Sequence, residues 1–303
     1  MDTTLPTPID VAKLLHKRKL VLLIDLDETL VHTTRYRPPT TLHTTGQQSY
    51  RKVFMRPKAQ EFIAKMSSMF ELYIATKGSR SYAQALIPLL DPEQKYLQSR
   101  FFARDDYGPS SNKMRAIDVL FPGHPHPPVC AIDDQTANFP TGGHVFRVKI
   151  YAPTSAFYHR SEDNTLDNLC RALQLIHADY FRRINNQSIS SYPVLPQIAK
   201  VKQHIRSNIL TGVSIFFMKA AAYLTKSAKE IGAQICHDVI TLQNSQVTGK
   251  LPTTHIVCFL QNPPQHLIDI GKQNNVHFVS LIWLKTCLER WERISEDGYR
   301  MDV

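Results

Sequence analysis

The stretch KLVLLIDLDETLVHTT, residues 19–34, restricts this chain more than any other. Val21 to Ile24 run without a polar break into Asp25. A short, unbroken apolar run suits a strand buried on both faces of a parallel sheet. Asp25 and Asp27 stand two residues apart, so on extended backbone both carboxylates face the same side. In open α/β sheets that side leads into the crevice beyond the carboxyl ends of the strands. Two adjacent carboxylates repel each other unless a cation or a proton lies between them. The stretch therefore points to a metal, to proton transfer, or to both. A polar turn after a core strand is the plain alternative.

The rest of the first half repeats this logic. ELYIATKGSR, residues 71–80, reads as a strand followed by Thr76, Lys77, Gly78, Ser79 and Arg80. A glycine lets the backbone approach an anion, the free N–H groups point at it, and Thr76 adds a hydroxyl donor. Gly78 and Arg80 are supporting residues in this reading. PPVCAIDD is another apolar strand, ending in Asp133 and Asp134, and GGHVFRVKIY, residues 142–151, gives one more. QSRFFARDD is a short strand and turn. Helical spacing appears in PKAQEFIAKMSSMF, opened by Pro57, and in SYAQALIPLLD, which should end between Pro88 and Pro92. Lys113 opens a third helix, KMRAIDVLFP, with Met114, Ile117, Leu120 and Phe121 inward. The Thr-, Pro- and Arg-rich stretch 35–55 reads as a small hairpin insertion, whose Arg35, Arg37, Arg51 and Lys52 are candidates for a substrate groove. Strands alternating with helices over short connections define an α/β doubly wound parallel sheet. Its strand ends bring Asp25 and Asp27, Thr76, and Asp133 and Asp134 to one edge, with Lys113 beside them.

Such an edge is equipped for phosphoryl transfer, which needs mainly positioning and charge neutralisation. Asp25, first after its strand, is the best placed nucleophile. Asp27 is placed to protonate the leaving oxygen and then to take a proton from water. Asp25, the backbone carbonyl of Asp27, and Asp133 or Asp134 form a hard oxygen set suited to Mg²⁺. Thr76 and Lys113 are placed to hold the phosphoryl oxygens as charge develops. Charge agrees with an anionic substrate. The 303 residues carry 36 Lys+Arg and 26 Asp+Glu, net +10. Residues 1–160 hold 21 of the basic and 14 of the acidic groups, net +7. With no basic run of five or more residues, direct nucleic-acid binding is not expected. The five cysteines are odd in number and scattered, which argues against a disulfide frame or a structural zinc. No apolar signal region or run of about 18 apolar residues is seen, so no membrane is expected and an intracellular setting is.

DLDETL resembles the D-x-D-x-T signature of haloacid-dehalogenase (HAD) type phosphatases. More narrowly, LVLLIDLDETLVHTT, FMRPKAQEFIAKMSSMFELYIATKGSRSYA, KMRAIDVLFP and VCAIDDQ resemble, in order and spacing, the FCP/SCP phosphatases of the RNA polymerase II C-terminal repeats. The resemblance covers residues 17–160, after an N-terminal arm at 1–16. It implies Asp25 as nucleophile, Asp27 as acid/base, Thr76 and Lys113 as phosphate holders, and Asp134 beside Asp133 as a metal ligand. It also implies Mg²⁺ dependence, phosphoserine or phosphothreonine substrates, and a nuclear location. Ser79 stands where the family usually has Thr, Gln135 where it has Arg, and Phe139 where it has Trp.

The remaining residues read as a helical linker followed by a second module. SEDNTLDNLCRALQLIHADYFRRI is a long amphipathic helix with Leu166, Leu169, Cys170, Leu173, Ile176 and Tyr180 on one stripe and Ser161 as N-cap. Residues 161–206 read as a helical linker, with 185–196 its least regular part. From 207 to 303 the chain resembles a small α/β BRCT domain. The carriers are the strand VSIFF, the helix AAYLTKSAKEIGA ending at Gly232, the strand THIVCF, and Trp283 in the last helix. FFMKAA lacks the hydroxyl with which such domains often grip phosphopeptides. A phosphatase domain followed by BRCT resembles the TFIIF-associating branch of the family and implies general transcription factors as partners. The alternatives are the same chemistry on another phosphoprotein or small phosphate ester, and an inactive scaffold.

Overall fold

The computed structural model describes residues 5–36, 50–108, 112–139, 143–155, 163–185, 195–219, 222–249, 251–259 and 263–303. The chain divides into two compact units, Met1–Lys200 and Val201–Val303.

In order, the first unit holds α1 (Val11–His16), β1 (Leu20–Ile24), β2 (Val31–Tyr36), β3 (Tyr50–Met55), α2 (Ala59–Ser67), β4 (Phe70–Ala75), α3 (Arg80–Leu90), β5 (Phe101–Phe102), α4 (Met114–Leu120), β6 (Val129–Asp133), β7 (Val145–Arg147) and α5 (Thr165–Asn185). Five strands form one parallel sheet in the order β5-β4-β1-β6-β7. Every residue of β1 is buried, as its unbroken apolar run demands. β1 is central, with Ile24 in register with Ile74 of β4 and Ile132 of β6. The three chains that leave these strands therefore emerge side by side.

The hairpin is present: β2 and β3 pair antiparallel from Val31↔Met55 to Tyr36↔Tyr50. Arg37 of the expected groove lies outside the described residues, as does Ser161. Several elements are shorter than their sequence pattern. α2 begins at Ala59, because Lys58 adopts a left-handed backbone with φ 64° and Pro57 lies before it. β7 covers three residues of the expected 142–151 strand. α3 ends at Leu90, within the expected stretch from Pro88 to Pro92. α5 is built into this unit. Leu166, Leu169, Cys170, Leu173, Ile176 and Tyr180 are all buried on it, and Lys58 Nζ reaches Asp167 Oδ2 at 2.7 Å.

α6 (Ile198–Ser207) contains the division between the units. The second unit continues with β8 (Ser214–Phe217), α7 (Ala222–Glu230), β9 (Gln234–Cys236), α8 (Leu242–Thr248), β10 (His255–Cys258), α9 (Gln265–Gln273), β11 (His277–Ser280) and α10 (Leu281–Arg290). Its four strands pair in parallel in the order β11-β10-β8-β9. Trp283 is fully buried among Ile215, Leu224, Val257 and Val279, the large anchor expected of α10. Gly232 has φ 95°, and a Cβ there would stand 2.1 Å from the Ser207 carbonyl oxygen, so only glycine fits.

Candidate active site

Asp25 follows β1 directly and is 6% exposed. Its backbone N–H donates to Ile132 O at 3.1 Å, which ties the nucleophile candidate to β6. Asp25 Oδ1 accepts from Lys113 Nζ at 2.6 Å, and Oδ2 accepts from Thr29 Oγ1 at 3.3 Å. Lys113 Nζ donates equally, at 2.6 Å, to Asp133 Oδ2. The other Asp133 oxygen accepts from Gln135 N at 2.8 Å and Asn138 Nδ2 at 3.0 Å. Asp25, Lys113 and Asp133 are all buried, so water screens little of their charge.

Asp25, Asp133 and Asp134 each place a carboxylate oxygen within 4.8 Å of the others. Burial raises the Asp25 carboxyl to about 7, with Lys113 pulling it down and Asp133 pushing it up. Asp134 is raised for the same reasons, burial first and Asp133 next. Burial works against the Lys113 charge, yet the carboxylates Asp25 and Asp133 outweigh it and raise its pKa. Three carboxylates against one ammonium leave two formal negative charges, and one divalent cation balances them. The hard, all-oxygen donor set also fits such an ion. These residues can hold a metal.

Asp27 is placed differently. It stands on the turn after β1, half-buried, and its carboxylate lies outside the three-carboxylate group. Its Oδ1 accepts from the Tyr82 hydroxyl, and its Oδ2 lies 3.5 Å from Thr76 Oγ1. Thr76 follows β4, is fully buried, and accepts from Gly78 N at 3.0 Å. Gly78 is needed for a reason the sequence did not show: a Cβ there would stand 2.4 Å from Tyr82 Cδ1. Tyr82, on α3, crosses the glycine to reach Asp27. Arg80 turns to a structural task, pairing with Asp106 at 2.5 and 2.7 Å and lying over the Phe101 ring. Lys77 is exposed beside Thr76.

Arg56 is a second group missed in the sequence. It is 2% exposed and donates to Thr29 O, Lys149 O, Asp163 Oδ2 and Thr165 Oγ1 at 2.8–3.1 Å. It thereby fixes the turn that carries Asp27 and Thr29. The FMRP segment contained this arginine, but nothing in its neighbours marked it as buried. A cleft of about 600 Å³ beside it, lined by Phe54, Pro57 and Tyr151 among others, does not include the carboxylates.

A parallel α/β sheet with a buried carboxylate cluster beyond the C-terminal ends of its central strands defines the class: an α/β domain whose carboxylates could hold a metal ion. Residues 20–183 match the family described as NLI interacting factor-like phosphatase, and the chain belongs to that family. A Caenorhabditis elegans protein described as an RNA polymerase II C-terminal domain phosphatase is 26% identical over 319 residues, covering 96% of this chain and 47% of that protein. The human protein of the same description is 32% identical over 156 residues, which is 47% of this chain and 15% of that one. The chain thus spans about half the length of the worm relative, and its match covers far less of the human one. Among solved structures, Fcp1, described as an essential RNA polymerase II CTD phosphatase, superposes with a TM-score of 0.65 at 21% identity. That alignment covers 96% of this chain and 98% of that one and shows a common fold.

Proposed function

We propose that this chain is a Mg²⁺-dependent phosphatase of phosphoserine and phosphothreonine in the C-terminal repeats of RNA polymerase II, acting in the nucleus. The observation that carries the chemistry is the Asp25–Lys113–Asp133 triad with Asp134 beside it, two 2.6 Å contacts deep in a buried acidic centre. The substrate is taken from the two relatives' descriptions.

An oxygen of Asp25 attacks phosphorus in line, and the P–O bond to the serine or threonine breaks. Asp27 gives its proton to the departing oxygen and is left as a carboxylate. Water then attacks the aspartyl-phosphate, Asp27 takes a proton from it, and Asp25 is freed. Lys113 and the Thr76 hydroxyl hold the phosphoryl oxygens, a role for donors already fixed in place by packing. Asp25, Asp133 and Asp134 would hold a divalent cation, which when bound would supply neutralising charge for the phosphoryl group. Burial of Asp25 removes water that would otherwise solvate the nucleophile. The second unit, read as a BRCT domain, serves capture of the polymerase or of general transcription factors.

The test is phosphate release from repeat peptides phosphorylated at one serine, beside unrelated phosphopeptides, for the wild type and Asp25→Asn. Turnover that prefers the repeats and vanishes in a folded Asp25→Asn protein is expected. Equal turnover of unrelated peptides overturns the substrate, and an active Asp25→Asn protein overturns the covalent route.

A further inference from the structure

Glu28, immediately after Asp27, has φ 58°. A non-glycine residue keeps a left-handed backbone only where its surroundings enforce it. Two backbone bonds do so: Glu28 N donates to Val31 O at 2.8 Å, and Tyr151 N donates to Glu28 O at 2.7 Å. The side chain adds a third restraint. His32 Nδ1 lies 2.8 and 3.0 Å from the two oxygens of the Glu28 carboxylate. The far ring nitrogen, Nε2, lies 3.3 Å from Thr154 Oγ1, and the ring rests 6.2 Å from that of Phe54. The His32 and Glu28 side chains are 15% and 32% exposed, so the contact is largely screened from solvent.

β2 therefore reaches the Asp27 turn from both of its faces, directly through His32 and by way of the Tyr82 hydroxyl through Thr33. His32 holds the residue after Asp27. Thr33, the next residue, points the other way, with Oγ1 3.2 Å from the Tyr82 hydroxyl that donates to Asp27. We infer that Glu28 and His32 are positioning residues for proton transfer, holding the Asp27 carboxyl where it can protonate the leaving oxygen. The inference rests on the phosphatase reading of the site. Neither residue is required to touch the phosphoryl group; both act through the backbone of the turn.

This role has a chemical signature. The alkoxide of serine is a poor leaving group and needs its proton during bond breaking. 4-Nitrophenolate departs without one. A carboxyl that wanders from its place therefore slows serine-phosphate hydrolysis and spares the aryl ester. Loss of local folding lowers both together.

The experiment measures kcat/KM of full-length wild type, Glu28→Gln, His32→Leu and His32→Asn on a phosphoserine peptide, phenyl phosphate and 4-nitrophenyl phosphate, with melting temperature recorded for each. His32→Leu is expected to lose about tenfold or more on the peptide and less than about threefold on the nitrophenyl ester. His32→Asn, whose amide nitrogen can replace Nδ1, recovers most of the loss. Equal losses on all three esters, or none on any, overturn the positioning role. If His32→Leu fails to fold, Glu28→Leu, which removes the acceptor, makes the same comparison against His32→Asn. A wild type that releases phosphate from no ester refutes the phosphatase reading and takes this inference with it, an outcome distinct from equal losses.

Discussion

Gly78→Ala offers a sharp probe of the site because the severest contact of its Cβ is with one ring, Thr76 Oγ1 standing further off at 3.3 Å. The added Cβ would stand 2.4 Å from Tyr82 Cδ1 and 3.0 Å from Cε1. Ordinary carbon contacts begin near about 3.5 Å, so the ring must retreat by about 1 Å. The Tyr82 hydroxyl at the far end of that ring donates to Asp27. A hydrogen bond to a charged group contributes about 1.5–3 kcal/mol, and a displacement of about 1 Å at a catalytic group can cost about 10²-fold in rate. We expect kcat/KM on a phosphoserine peptide to fall about 10- to 100-fold, while the melting temperature changes little. Tyr82→Phe removes the hydroxyl without touching the glycine. If Gly78→Ala acts by moving that hydroxyl, the double variant is little worse than Tyr82→Phe alone, because neighbours in one network are not additive. Near-normal activity in Gly78→Ala, or losses that simply multiply in the double variant, would refute the reasoning.

Three other outcomes are expected. The raised Asp25 pKa means that its contribution to stability is present below about 4 and is lost as pH rises through about 7. A divalent cation reverses that loss, so Mg²⁺ should raise the melting temperature more near pH 8 than near pH 5.5; an equal shift at both removes Asp25 from the metal site. A chain ending at Lys200 should fold and hydrolyse a small aryl phosphate at close to the full-length rate, since every candidate catalytic residue lies in the first unit; a folded but inactive truncation refutes that division. In the second unit, His255 lies 3.0 Å from Glu296 and stacks on Trp283, and burial lowers its pKa to about 4. Its contribution is therefore present above about 6.5 and lost as pH falls through about 4, so tryptophan fluorescence should report earlier acid unfolding than in His255→Phe; identical curves exclude His255.

The edge that gathers the carboxylates was legible because its signals are local. An apolar run into a carboxylate or hydroxyl needs only a few consecutive residues, and three such runs predicted strand ends meeting at one edge, where β4, β1 and β6 lie side by side. The supports were not legible because their partners are distant in sequence. Arg56 binds groups 27, 93, 107 and 109 residues away. Tyr82 meets Asp27 across 55 residues. Strand and helix ends also shifted where backbone geometry overrode composition, as at Lys58, whose left-handed φ moves the start of α2 past Pro57. Gly78 was read as room for an anion; the Tyr82 ring beside it is a second reason for glycine, and one that no neighbouring residue in the sequence signals.

The two aspartates differ in how they are held, and the difference follows from their proposed tasks. Asp25 must present one oxygen along a fixed line, and it stands at the end of a fully buried central strand with its N–H bonded to β6. Rigidity there comes with the sheet. Asp27 must exchange protons with a leaving oxygen and with water, so it cannot be sealed in the core. It sits on a half-buried turn, where sheet packing alone does not fix a side chain. Separate elements restrain it instead: Tyr82 from α3, Thr76 after β4, and Glu28 clamped by His32 of β2. Each restraint is a local polar contact, so each can be removed without unfolding the sheet. Substitutions at Tyr82, Glu28 and His32 should therefore change proton transfer selectively, whereas substitutions beneath Asp25 should change stability and activity together.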